Sequence, residues 1–317
     1  MTTSGVPLPR RRALLALPAL ALAARPALGQ PADAATLLLP GPETGPLALF
    51  GARAAAGLAR NMPQAVALRL ETLGGPDGVT AANRFATSDT AGRALLILPG
   101  AAVHARMVGD ARVQFEPTGW LPLLALLQPV WIAGRGAMPP AGGRAVWRVA
   151  ISGPAHAEAA ALLALDLLGI LAAPVLVGPL PGAAEAAIRA DQADVLMLRG
   201  PDLPARAGSL GLQPWQVFEP PSTQREDQAA LAMACHAAIA ALRLQGLMVL
   251  PALTGSDQAA TWRLAATRFV EDEARDSGAG LLGPTQAADL MPTLFPAPDA
   301  ILAWREWAQR RLGTRAG

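Results

Sequence analysis

Short apolar runs alternate with amphipathic stretches along the first hundred residues of the chain, with turns rich in glycine and proline between them. Thr36-Leu37-Leu38-Leu39 runs into Pro40-Gly41-Pro42-Glu43-Thr44-Gly45-Pro46, and apolar positions then recur at helical spacing from Leu47 to about Arg60. Ala65 to Glu71 has strand character and ends in Gly74-Gly75-Pro76-Asp77-Gly78. A second helical stretch, Val79 to Ala86, leads to the apolar run Arg93 to Leu98, closed by Pro99-Gly100. This order predicts βαβαβ with crossovers of the length that parallel pairing requires. The loops 40–46 and 74–78 then fall at the carboxyl ends of neighbouring parallel strands, where open α/β sheets bind ligands. Ordinary tight turns would use the same residues.

The pattern then changes and restarts. Val103 to Trp120 reads as irregular, and Leu121 to Ile132 is apolar except for Gln128-Pro129. The glycine-rich stretch from Gly134 to Gly143 suits a crossing between domains. A second α/β unit follows: strand Trp147–Ile151, loop Ser152-Gly153-Pro154-Ala155-His156, helix Ala157–Leu171 and strand Val175–Val177. Next come loop Gly178–Gly182, helix Ala183–Ala190, and strand Ala193–Leu198 ending at Arg199-Gly200-Pro201-Asp202. The apolar stretch Ala159–Val177 is long enough to suggest a membrane span, but Asp166, Gly169 and Pro174 argue for a helix that stops before a strand. Beyond Asp202 the pattern predicts a short strand at Trp215–Phe218, a helix over Glu226–Leu244 and a strand at Leu247–Leu253. Helices over Gln258–Arg275 and Ala300–Arg311 close the chain. The expected organisation is a two-lobed α/β protein, with residues 30–132 and 214–317 in lobe 1 and 133–213 in lobe 2.

Composition narrows the function classes. The formal charge of +2 is misleading. Arg10, Arg11, Arg12 and Arg25 lie in residues 1–29, which hold no acid; the remainder carries 22 basic residues against 24 acidic, a net charge near −2. The basicity thus belongs to the leader and does not point to nucleic acid. In that leader, Arg10-Arg11-Arg12 precedes an apolar run from Ala13 to Ala24. The run is too short to span a bilayer, which needs about 20 residues. A basic start, a short apolar run and the small residues Ala27 and Gly29 read as a secretory signal, cleaved between Gly29 and Gln30. Arg11-Arg12-Ala13-Leu14-Leu15 is also similar to a twin-arginine motif. The expected location is periplasmic. A lone Cys235 in an apolar helical pattern excludes an intramolecular disulfide and reads as an inert buried thiol.

No catalytic constellation is present. His104, His156 and His236 lie at no metal-ligand spacing, and there is no nucleophile elbow, phosphate loop or dinucleotide fingerprint. An enzyme, a metal site and a cofactor are therefore not expected. The candidate residues are binding residues: Pro42, Glu43, Thr44 and Gly45 of the first loop, and Gly74, Gly75, Asp77 and Gly78 of the second. Ser152, Gly153 and His156, with Gly182, Ala183 and Arg199, supply the opposing wall. Free N–H groups at helix starts seat anions, and Arg199 at a strand end either adds a cation to the same cleft or is a solvated surface charge; a small organic anion as ligand is what the resemblance described next implies.

These pieces, taken in order, resemble the extracytoplasmic receptors of tripartite tricarboxylate transporters. The resemblance rests on Leu39-Pro40-Gly41-Pro42, Glu71 to Gly78, Ser88 to Leu96, Phe115-Glu116-Pro117 with Trp120 to Leu123, Ser152-Gly153 with His156, Pro181 to Ala184, Gln192 to Met197, and Trp215 with Phe218 and Pro220. It implies a periplasmic-binding-protein fold of the Venus-flytrap kind, type II-like, acting as a monomer with membrane transporter subunits as partners and a small carboxylate as ligand. A non-transporting sensor or partner-binding protein of the same fold is the alternative. The chain departs from the family where Glu43-Thr44-Gly45-Pro46-Leu47 replaces a glycine-rich loop ending in Thr-Asp, and where Arg199 stands in place of an acid. Mass spectrometry of the exported protein is expected to give an N-terminus at Gln30; an intact Met1 would refute the leader.

Overall fold

A computed structural model describes residues 34–64, 66–87, 93–217, 230–276 and 280–314; the leader, its cleavage position and the resemblance residues 88–92, Phe218 and Pro220 lie outside them. The first unit is built as the pattern predicts: β1 (Ala34–Leu39), α1 (Pro46–Asn61), β2 (Ala67–Thr72), α2 (Val79–Ala86) and β3 (Ala94–Leu98). β1 pairs in parallel with both β2 and β3. All five residues of β3 are buried, as a central strand covered on both faces should be.

The stretch read as irregular begins with a helix, α3 (Gly100–Val108). Pro99 supplies extended backbone at its start and Gly109, at φ 80°, closes it. It buries Ala102, Val103, His104 and Met107, a stripe too poor in large apolar residues to stand out in the sequence. The apolar run after it is two strands, β4 (Leu121–Leu127) and β5 (Val130–Arg135). They part at Gln128-Pro129, where proline offers no N–H to a ladder.

The second unit comprises β6 (Trp147–Ile151), a 3-10 turn (Ala157–Ala159), α4 (Ala160–Leu167) and β7 (Ala172–Leu176). It continues with α5 (Ala183–Arg189), β8 (Val195–Arg199), α6 (Leu203–Ser209) and β9 (Leu212–Val217). The helix expected to reach Leu171 stops at Leu167 because Gly169 turns the chain at φ 69°. Pro174 sits in the edge strand β7, where its missing N–H breaks no ladder. The remaining elements are α7 (Ala230–Arg243), β10 (Leu244–Leu250), α8 (Ser256–Asp276), β11 (Leu281–Leu282), α9 (Pro284–Leu294) and α10 (Pro298–Leu312). Helices α6 and α9 were not expected from the pattern; both open on a proline in the first turn, and α9 carries Pro292 within it. Among the described residues no helix is long and apolar enough to cross a membrane.

The strands form two sheets, ordered β11-β4-β10-β3-β1-β2 and β7-β6-β8-β5-β9. The second repeats the core order of the first. In each, a parallel trio is flanked by an antiparallel strand, β10 or β5. Sheet membership changes at Gln128-Pro129 and again after Val217; the sequence pattern puts the lobe limits at 132/133 and 213/214. Antiparallel pairing with β8 and β9 is what draws β5 into the second sheet.

Register fixes how the sheets face. In the first, Leu98 at the end of β3 lies opposite Leu247 in the middle of β10, while Leu244 at the start of β10 lies opposite Leu127 at the end of β4. In the second, Arg199 at the end of β8 lies opposite Val130 at the start of β5. The crossing at Gln128-Pro129 therefore adjoins the carboxyl ends of both parallel trios.

Helices α1 and α8 cover one face of the first sheet, packing Phe50, Trp262 and Phe269 on Leu37, Leu95 and Met248. On the other face, α2, α3 and α9 pack with Ala240 and Ala241 of α7. The rest of α7's buried face, Ala234 to Ile239 with Leu242, joins α4 and α10 on the second sheet. Trp307 and Arg311 of α10 both donate to Asp166 of α4 at 2.9 and 3.1 Å.

Gly100 marks the tightest contact at this junction. A Cβ there would land on the Ala241 carbonyl oxygen and lie 2.7 Å from that of Leu244. Both obstacles are backbone, so neither can move aside as a side-chain tip would. Gly100→Ala is accordingly expected to destabilise the chain by about 3 kcal/mol or more, beyond the ordinary range for a small-to-large change. Urea denaturation of the variant measures this; an unchanged midpoint would show that α3 shifts freely.

Candidate functional site

The first-lobe wall forms where β1, β2 and β3 end. A Cβ on Gly41 would lie 2.5 Å from the Gly74 carbonyl oxygen, so the two expected loops touch through glycine backbone. A Cβ on Gly78 would strike the Pro99 ring and lie 3.6 Å from Pro40. Gly74 and Gly78 also have φ of 76° and 74°, conformations that glycine adopts without strain. Three helices, α1, α2 and α3, start at this edge, and none has a capping side chain at its N-cap. Their first-turn N–H groups lack intrahelical acceptors and carry the positive end of the helix dipole. Pro46 at the start of α1 offers no N–H, so that helix contributes one donor fewer.

Glu43, Thr44 and Gly45 line a groove of about 590 Å³ with Leu39, Leu49 and Leu70 on the flank of α1 and β2. Pro42 and Glu43 are exposed, and Gly75 is half-buried. Asp77 is differently employed. One oxygen accepts from the Val79 N–H at 3.3 Å and the other pairs with Arg112 at 2.8 Å. Arg112 also grips Asp110 at 2.6 Å and holds that carboxyl below the usual carboxylate range. Asn83 fixes the same loop, donating to the Arg112 carbonyl at 2.8 Å and accepting from Gln114 at 2.9 Å.

The second-lobe wall gathers Ser152, Gly153, His156 and Arg199 at the ends of β6 and β8, and adds residues the sequence did not single out. The His156 N–H donates to Gly153 at 3.1 Å, and the imidazole lies over Gly153, whose Cβ would be 3.0 Å from it. Glu158, in the 3-10 turn, stands between the His156 ring and Arg199, 4.0 Å from His156 Nδ1 and 3.8 Å from Arg199 Nη2. Arg206 donates to the Arg199 carbonyl at 2.6 Å and to Glu185 at 2.7 Å. Glu185 stands in the first turn of α5, just past Gly182 and Ala183. The loops at 152–158, 182–185 and 199–206 thus form one connected rim. Glu158, Glu185 and Arg206 carry no signal in the sequence, because their partners come from other elements. Among the described residues no group of three or more His, Cys, Asp or Glu is placed to hold a metal ion.

One contact ties the second-lobe loop to α3 of the first. His104 is buried and within 3.2 Å of the Ala155 carbonyl through Nε2, with its ring edge-on to Trp304 at 5.5 Å. That bond fixes the neutral tautomer with the proton on Nε2, leaving Nδ1 buried without a partner. Burial pushes the imidazole down to about 4. Cys235 is likewise buried, its thiol pushed up to about 12, which agrees with the inert thiol expected.

No protein-family model matches the sequence, and no curated protein does. Solved structures do match. A TctC solute binding protein from Polaromonas, without ligand, superposes with a TM-score of 0.64 at 14% identity, covering 87% of this chain and 98% of that one. MatC from Rhodopseudomonas palustris with bound malate gives 0.50 at 18%, covering 88% and 99%. A second Rhodopseudomonas palustris protein, with adipate, gives 0.50 at 14%, covering 90% and 99%. At these identities the likeness establishes the fold, the two-lobed architecture of solute-binding proteins.

His104 sets a pH dependence. Unfolded chain protonates it near 6.5, whereas the folded site stays neutral down to about 4. Its contribution is therefore complete above pH 6.5 and is lost as pH falls toward 4, up to about 3 kcal/mol. His104→Gln, which retains a donor for Ala155, is expected to lose less stability than the parent between pH 7 and pH 4.5 in urea titrations. Equal losses would remove His104 as the cause.

Proposed function

We propose that the chain is an exported solute-binding receptor that captures a small carboxylate-bearing anion between its lobes and presents it to membrane transporter subunits. The observation that carries this reading is the meeting of two unlike walls at one crossing. The starts of α1 and α3, which carry no side-chain cap, stand on one side, and Arg199 and His156 stand on the other. Helix N-termini and an arginine fork are both suited to carboxylate oxygens, and neither wall alone would enclose a small molecule. The malate and adipate held by two proteins of this fold support a carboxylate.

In this reading the site does no chemistry. Ligand binds the open first-lobe loops, and contacts to Arg199 and His156 are gained only on closure. The closed form is populated by as much as those added contacts favour it. Residues 34–127 with the β10 sheet form one lobe, and β5 to β9 form the other. The protein acts as a monomer in the periplasm, with the leader removed.

The exposed Glu43 and the missing donor at Pro46 favour a second reading, in which the same fold senses a ligand or binds a partner without serving transport. Calorimetry with a panel of di- and tricarboxylates, paired with small-angle scattering, tests the receptor. Binding with compaction is expected, and Arg199→Ala should weaken it about tenfold or more, as loss of a charged hydrogen bond does. Absence of heat and of compaction across the panel would favour the second reading.

A further inference from the structure

We infer that Glu158 is a built-in competitor for the ligand's carboxylate, a residue that sets how much negative charge the site accepts. The inference rests on the proposed capture of an organic anion at Arg199.

The geometry of this carboxylate is unlike that of its neighbours. Elsewhere in the same lobe each paired acid has an arginine nearer than Glu158 has: Asp194 lies 2.7 Å from Arg148, Glu185 2.7 Å from Arg206 and Asp191 3.3 Å from Arg135. Glu158 instead divides itself, with Oε1 3.8 Å from Arg199 and Oε2 4.0 Å from His156. Both separations exceed a hydrogen bond. The Glu158 side chain is only 17% exposed, whereas Arg199 is 55% exposed and His156 48%. The acid is thus set back behind Arg199, whose charge it partly neutralises, and the His156 ring.

The backbone beneath Arg199 is fixed. Its carbonyl accepts from Arg206, the next N–H, that of Gly200, donates to Pro129 at 3.1 Å, and the strand pairs with β5 at Val130. Among the described residues no hydrogen bond engages the Arg199 guanidinium, so its fork remains free for a bidentate carboxylate. A carboxylate seated there would stand close to Glu158, and like charges at such range repel. The repulsion grows with ligand charge. Removing the Glu158 charge, with shape preserved, should therefore strengthen anion binding, and more so for a trianion than for a dianion.

Wild type, Glu158→Gln and Glu158→Asp are titrated at pH 8 with succinate and citrate by calorimetry, with imidazole resonances of the three histidines as an independent occupancy signal. Thermal midpoints verify that each variant is folded. Expected is about tenfold tighter succinate binding by E158Q, a larger gain for citrate, and wild-type affinity within about threefold for E158D, which keeps the charge. If wild type binds and E158Q binds equally or more weakly, the competitor role is overturned while the receptor reading stands. If neither anion binds any of the three proteins and the His156 signal does not move, both are overturned.

Discussion

Where the two sheets adjoin, the structure turns on a packing contact without slack, the backbone of Gly100 against the carbonyls that end α7 and begin β10. Gln128 closes the same junction from the crossing strand. Its backbone N–H donates to the Arg243 carbonyl and its side-chain Nε2 to the Leu242 carbonyl, each at 2.8 Å, and its side-chain Oε1 accepts from Gln245 Nε2 at 3.3 Å. These bonds satisfy carbonyls that a helix end would otherwise leave bare. The crossing strand, the start of α3 and the end of α7 are thereby joined in one polar knot beside Arg199. A site placed next to so constrained a region inherits its geometry from backbone, and side-chain choice is left to tune the ligand.

Charge is distributed with a similar division of labour. Arg148 holds Asp194 and Arg112 holds Asp110 at hydrogen-bond distance, and both carboxyls titrate below their ordinary range. Exposed pairs of this kind add little to stability; what they supply is position. Arg148 fixes the start of β8 against β6, and Arg112 draws the loop after α3 to Asp77. Asp77, which from sequence alone reads as a ligand-facing acid, also pairs with Arg112 in that loop. Glu158, which sequence passes over, is the acid left loosely paired.

What the sequence disclosed follows from which signals are local. The βαβαβ unit was legible because glycine and proline bound each apolar run, from Pro40 through Gly78 to Pro99. Both loops were correctly placed at the ends of β1 and β2, since parallel pairing leaves them nowhere else to go. Helix α3 was hidden because its buried face is alanine, one valine, a histidine and a methionine. The split of Leu121–Ile132 into strands of different sheets is decided by tertiary pairing with β8 and β10, which no local pattern encodes. The second-lobe rim shows the same limit: Ser152, His156 and Arg199 were visible as strand-end residues, but the contacts of Glu158, Glu185 and Arg206 span up to 41 positions along the chain.

Helix α7 has a meaning beyond its position. Its residues Ala234 to Ile239, with Leu242, belong to the core of one sheet, and Ala240 and Ala241 between them belong to the core of the other. A protein whose halves had separate cores would come apart in stages, each half melting by itself. Here neither core is complete without the shared helix, so losing one half strips the other of its cover. The two lobes are distinct as architecture, yet they share one helix between their cores.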